Sequence, residues 1–162
     1  MKPINTLVTV LFISLLSSHS WSETMDDLVK REDIYYQKFT DVPFSGKTTG
    51  EEQGSIKNGK REGAWFVYHK NGQLANKGSY KNGKLDGAWV FYSDNGQFFL
   101  KGNYNDGNRE GAWVSYYENG QLQFKYNYKN GQKEGAGVWF NEDGTVDKER
   151  TGTFKNGEKI SD

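Results

Sequence analysis

The chain has 162 residues, with 21 Lys plus Arg against 21 Asp plus Glu, 20 Gly, two Pro, five Trp, ten Tyr, ten Phe and no Cys, a length that supports one domain or one repeat array. A net charge of zero removes the cationic surplus that displaces counterions from phosphates, which argues against a nucleic-acid partner; the missing Cys excludes disulfides, thiolate metal sites, a Cys nucleophile and the acylated Cys of a lipoprotein. Only 34% of residues are apolar while 15% are aromatic, so the hydrophobic material sits in a few large side chains, as suits a thin β structure.

Residues 1–22 read as a cleaved export signal: Lys2, an apolar run from Leu7 to Leu16, then small residues at Ser20 and Ser22. The run is near half the ~20 residues that span a bilayer. The expected mature chain starts at Glu23, carries a net charge of about −1 and is periplasmic or secreted.

Residues 23–53 read as an N-terminal cap. The charged stretch Glu23 to Asp33 is expected to be helical, Ile34-Tyr35-Tyr36 and Pro43-Phe44-Ser45-Gly46 follow, and the whole should cover the first exposed sheet edge.

From residue 54 to the end the sequence repeats with a period of 24: copies 54–77, 78–101, 102–125 and 126–151, then a partial copy 152–162. The columns Gly63/Gly87/Gly111/Gly135, Gly72/Gly96/Gly120/Gly144, Trp65/Trp89/Trp113 and Tyr68/Tyr92/Tyr116 carry the period. The fourth copy has Gly137 in the Trp column and Trp139 two residues later, as expected of a terminal, capping repeat.

Asn58-Gly59 and Asn71-Gly72, with their counterparts in every copy, put two hairpin turns in each period. This predicts an all-β fold, a single-layer antiparallel β-hairpin repeat array of eight to ten strands. The columns 56/80/104/128/154, 68/92/116/140 and 74/98/122/146 would form aromatic and aliphatic ladders. Which of them shares a face with Trp65 depends on whether the loop at Asn71-Gly72 has two residues or three with a bulge, because a slip of one residue exchanges faces.

The chemistry-bearing motifs have structural explanations. Gly54-x-x-x-x-Gly59-Lys60 has Arg61 where a phosphate loop needs Ser or Thr, and no helix follows. Glu62, Asp86, Glu110 and Glu134 occupy equivalent positions opposite recurring Lys, so they read as cross-turn ion pairs rather than an acid–base couple. His69 reads as a turn-flanking surface residue, and neither a metal nor another cofactor is expected. The absence of a catalytic set points away from an enzyme.

The unit Gly-x-Tyr-x-Asn-Gly-Lys-x-Asp-Gly-x-Trp-x-x-Tyr-x-x-Asn-Gly-Gln-Leu, best seen from Gly78 to Phe98, resembles the bacterial variant of the MORN repeat. The leader Ile34-Tyr35-Tyr36 with Phe39 to Lys47 is similar to the segment that precedes these repeats in YwqK-type antitoxins of toxin–antitoxin systems. The resemblance implies a β-hairpin repeat fold and a non-catalytic binding role; with an export signal, such a protein would act in the manner of an immunity protein.

The expectation is therefore an exported interaction module whose partner is another protein, a toxin or an envelope protein. Phe66, Val90, Phe91, Val114 and Ser115 are the expected contacts, because they differ between copies while Gly63, Trp65, Tyr68, Gly72, Gly87, Trp89, Tyr92, Gly96, Gly111, Trp113, Tyr116, Gly120, Gly135, Trp139 and Gly144 carry the repeat structure. The alternative is an envelope scaffold that self-associates or contacts lipid or glycan; lipid is disfavoured by interspersed charge without a basic patch. Oligomeric state stays open.

Overall fold

The computed structural model describes residues 22–162. The expected export signal therefore lies outside the described residues, except for Ser22, which opens the first strand. The elements are β1 (Ser22–Thr24), a 3-10 turn (Met25–Asp27), β2 (Leu28–Arg31), β3 (Ile34–Gln37), β4 (Gly46–Thr49), β5 (Glu52–Lys57), β6 (Lys60–Tyr68), β7 (Leu74–Lys81), β8 (Lys84–Leu85), β9 (Gly87–Tyr92), β10 (Phe98–Asn105), β11 (Asn108–Tyr116), β12 (Leu122–Lys129), β13 (Gln132–Lys133), β14 (Gly135–Trp139), β15 (Gly152–Lys155) and β16 (Glu158–Ser161).

Fourteen of these strands form one sheet in chain order from β4 to β16, with β1 added parallel to β4 and every other pairing antiparallel. β8 and β9 are two parts of one strand against β7, interrupted at Asp86, and β13 and β14 repeat this against β12 at Glu134. The all-β hairpin array is thus the fold.

Two turn types alternate. Asn58-Gly59, Asn82-Gly83, Asp106-Gly107, Asn130-Gly131 and Asn156-Gly157 all have positive φ at both residues, the type I′ geometry whose twist matches that of the flanking strands. At the opposite edge Gly72 N–H donates to the His69 carbonyl at 2.8 Å, and only Gly72 of the loop has positive φ. That is the three-residue loop with a glycine bulge, and the same bonds recur at Gly96, Gly120 and Gly144. Asn71 holds this loop by accepting the Gln73 N–H on its side-chain oxygen at 3.0 Å, as do Asn95, Asn119 and Asp143 for their neighbours.

A further bulge follows each loop: Tyr68 faces Leu74 while Val67 faces Asn76, leaving Ala75 extra. Together these settle the face question. Register puts Tyr80, Tyr104 and Tyr128 on the Trp face, and the Tyr68/Tyr92/Tyr116 and Leu74/Phe98/Leu122 columns on the other.

The Trp face holds the core. Trp65 and Trp113 are fully buried and Trp89 nearly so. Tyr80 stands edge-on between Trp65 and Trp89, at 5.6 and 5.3 Å between ring centroids, and Tyr104 between Trp89 and Trp113, at 6.3 and 5.0 Å. The ladder thus alternates Trp and Tyr rather than stacking like on like, in the edge-to-face geometry that the aromatic quadrupole favours. Arg61 lies over Trp65 at 4.7 Å, Arg109 over Trp113 at 4.2 Å and Lys133 over Tyr126 at 3.6 Å. A glycine lies beneath each ring: a Cβ on Gly54, Gly78 or Gly102 would overlap the indole of Trp65, Trp89 or Trp113.

The cap differs from expectation. Only Met25–Asp27 is helical, as one 3-10 turn, and Leu28–Arg31 is a strand. Hairpin β2–β3 forms a separate two-stranded sheet that packs Leu28 and Tyr35 against the cluster around Trp65. It is tied to the first turn, with Tyr35 N–H donating to Gly59 O and Gly59 N–H to Phe44 O at 2.8 and 2.7 Å. β4 pairs with β5 and β1 with β4, so this part of the cap covers the first edge of the array by adding strands to it. At the other end the segment 147–151 folds onto the same face: Tyr126 Oη donates to Arg150 O at 2.6 Å, and the Arg150 guanidinium lies 4.1 Å from the Trp139 ring centre.

Candidate binding face

Strand alternation assigns every sequence-derived contact residue to one side. Phe66, Val90 and Val114 lie on the outer face, opposite the tryptophans, with Phe66 exposed and the two valines half-buried. Phe91 and Ser115 lie on the Trp face and do not join them. Phe91 packs between Trp89 and Trp113, with ring centroids 6.1 and 6.5 Å away, and Ser115 is buried, its hydroxyl within hydrogen-bond distance of both Phe99 O and Gln123 Oε1 at 3.1 and 2.8 Å. The five residues are therefore not one site. Trp139 occupies the position equivalent to Phe91 and stacks on Phe124 at 5.2 Å.

The outer face carries an unbroken row along the cross-strand register: Phe66 opposite Lys77, Lys77 opposite Val90, Val90 opposite Lys101, Lys101 opposite Val114, Val114 opposite Lys125 and Lys125 opposite Val138. The three lysines are exposed, and their repeat of two strands is about 9.6 Å. Lys77, Lys101, Lys125 and Val138 are members that variability between the copies did not single out; the register of each hairpin places them.

Beside the row runs a strip of small side chains: Ala64, Ser79, Ala88, Asn103, Ala112, Asn127 and Ala136. A depression of about 620 Å³ opens over it, lined among others by Ala112, Lys125, Asn127, Ala136 and Val138. Row and strip contain no carboxylate. On the other side of the row stands an aromatic band in which Phe98 meets Tyr92 and Tyr116 at 6.4 and 5.3 Å.

The recurring carboxylates have a role other than the expected ion pairs with lysine. Glu62 accepts the backbone N–H of Asn82 at 2.7 Å, Glu110 that of Asn130 at 2.9 Å and Glu134 that of Asn156 at 3.0 Å. Ser45 serves Asn58 in the same way. These bonds tie the turns at Asn82, Asn130 and Asn156 to the preceding copy and that at Asn58 to the cap, and a second set includes the Asp106 turn: Gly83 N–H to Arg61 O, Gly107 N–H to Leu85 O and Gly131 N–H to Arg109 O, each 2.9 Å. His69 is half-buried, and its Nε2 donates to Tyr92 O at 2.9 Å; Tyr117 Oη does the same to Phe140 O at 2.8 Å.

The perturbed groups of the Trp face are structural. Burial pushes the phenols of Tyr80 and Tyr126 up and the Lys133 ammonium down, and all three are packed against aromatic rings. Among the described residues no group of three His, Asp or Glu side chains is placed to hold a metal ion.

No curated protein matches this chain in sequence. Among solved structures, a chain of a GtfA/B complex bound to UDP and GlcNAc aligns with 68% of this chain at 16% identity and a TM-score of 0.26. This chain spans about a quarter of that one, 24% of its length. The family model described as the MORN repeat variant matches residues 61–82, 85–106 and 109–130, three stretches that run from β6 to β12 in the middle of the sheet.

Proposed function

We propose that this protein is a non-enzymatic binding module that receives another protein on the outer face of its sheet. The observation that carries the reading is the asymmetry of the two faces. The Trp face is filled by its own aromatic ladder and overlaid at its ends by β2–β3 and by the segment 147–151. The outer face presents the row from Phe66 to Val138 to solvent beside a floor of small residues. Repeat arrays commonly use such an extended face for recognition, and three of the four recurring carboxylates, Glu62, Glu110 and Glu134, are occupied as turn acceptors.

In its finer form the reading is an exported antitoxin or immunity-type protein whose partner is a toxin or an envelope protein. Support for this comes from the leader sequence and from the apolar run after Lys2. Self-association into a scaffold is the weaker reading, since the terminal edge strand β16 is short and carries Glu158 and Lys159, which discourage edge pairing.

The test is site-specific photo-crosslinking in the native host, with the crosslinker at Ala112 on the outer face and at Asn76 on the Trp face. A single protein joined through position 112 and not through 76, and lost when Phe66→Asp and Val114→Asp are combined without a change in melting temperature, is the expected result. Undiminished capture by that double variant would sink the proposal.

A further inference from the structure

The spacing of the outer row specifies what shape of partner it fits. Apolar and cationic side chains alternate from strand to strand, so like groups recur every two strands, about 9.6 Å, and unlike groups every 4.8 Å. An extended peptide lying across the strands presents one face every two residues, about 6.6 Å. It falls out of step with the row after one contact. An α-helix rises about 1.5 Å per residue, so residues i and i+7 are about 10.5 Å apart and their midpoint falls at i+3 or i+4. Across Lys77, Lys101 and Lys125 the mismatch accumulates to about 2 Å, within the reach of a flexible lysine.

From this geometry, and resting on the outer-face reading above, we infer that the partner presents an acidic amphipathic α-helix, which lies along the row across the strands. Carboxylates spaced seven residues apart meet Lys77, Lys101 and Lys125. Apolar residues midway between them meet Phe66, Val90, Val114 and Val138, and the rest of the apolar stripe rests on the alanine strip, where the absence of bulk lets a helix approach the sheet. Charge fixes the sign. Row and strip hold three cations and no acid, so an acidic helix is attracted and a basic one repelled. The seven strand positions from Phe66 to Val138 span about 29 Å, the length of roughly 19 helical residues.

The experiment uses the full chain and a fluorescent 21-residue helical peptide with Glu at positions 4, 11 and 18 and Leu at the intervening contact positions, read by anisotropy at two salt concentrations. Controls are the same peptide with Lys for Glu and a scrambled peptide of equal composition. The Glu peptide should bind, more weakly at high salt, and the controls at least tenfold more weakly. Lys77→Glu, Lys101→Glu and Lys125→Glu combined should cost the Glu peptide about tenfold or more and favour the Lys peptide instead. Equal binding of the scrambled peptide, or indifference to the triple charge reversal, overturns the helix inference. If the Glu peptide fails while the natural partner still crosslinks at Ala112, the outer-face reading stands and the helix is wrong; if that crosslink also fails, both fall.

Discussion

Tyr126 lies with its ring against the backbone of Gly137, which reverses the contact that Trp113 makes with Gly102. In the first three copies the glycine is on the leading strand and the aromatic ring on the following one; in the fourth the two exchange strands, and the ring still covers a residue without a side chain. Lys133 covers Tyr126 as Arg109 covers Trp113. What the sequence shows as a departure of the fourth copy is a compensated swap.

The swap predicts a double-mutant cycle. Tyr126→Gly alone leaves a cavity and should cost about 3–5 kcal/mol. Gly137→Trp alone drives an indole into Tyr126 and should cost about 1–3 kcal/mol. The double variant restores the pattern of the other copies, and its loss in chemical denaturation should be smaller than the sum of the two by 1 kcal/mol or more.

Gly102→Ala tests the same packing from the other side. Its φ is not in the left-handed region, so any loss comes from the collision of the new methyl with Trp113. A drop of about 1–3 kcal/mol is expected, against roughly 0.5 for an alanine in the exposed column, such as Ala88→Gly.

The turn-capping carboxylates should be unequal. Glu62→Ala removes the acceptor of the Asn82 N–H and should cost about 1 kcal/mol. Asp86 is one methylene shorter and makes no such bond to Asp106, so Asp86→Ala should change the unfolding free energy from chemical denaturation by less than about 0.5 kcal/mol. Equal losses would show that the recurring acids act by charge alone.

Acid should weaken the ends of the array. The carboxyls of Asp27, Asp143 and Asp147 are held below their ordinary 3.8 by hydrogen bonds, from the hydroxyl and N–H of Thr24, from those of Thr145, and from the N–H and guanidinium of Arg150 respectively. A depressed folded pKa makes the unfolded chain the first to take up the proton. Each contribution is complete above 3.8 and is lost as pH falls through the lowered folded value. The urea midpoint should therefore hold level from about pH 7 to 5 and decline below about pH 4, with a shallower decline in Asp147→Asn.

The sequence by itself determined the period, the turns and the residues that turn the chain. Asn-Gly at Asn58, and the loop in which Asn71 accepts its own neighbour's N–H, are specified within four or five residues, so they were legible without tertiary information. Two-residue alternation likewise places Phe91 and Ser115 with the tryptophans that precede them by two; variability between copies was the wrong signal for exposure there. Only the tertiary structure decided the rest. The bulges at Ala75, Phe99 and Gln123 set the parity of each return strand, and with it the row from Phe66 to Val138. The pairing of Leu28–Arg31 with Ile34–Gln37 as a hairpin that buries Leu28 beside Trp65, in place of a helix, depends on an aromatic cluster that exists only once the repeats have paired. Glu62 likewise became a turn acceptor because sheet pairing brings Asn82, twenty residues away, within 2.7 Å of it. Contacts of that range depend on the assembled sheet, and no local rule of turn or propensity encodes them.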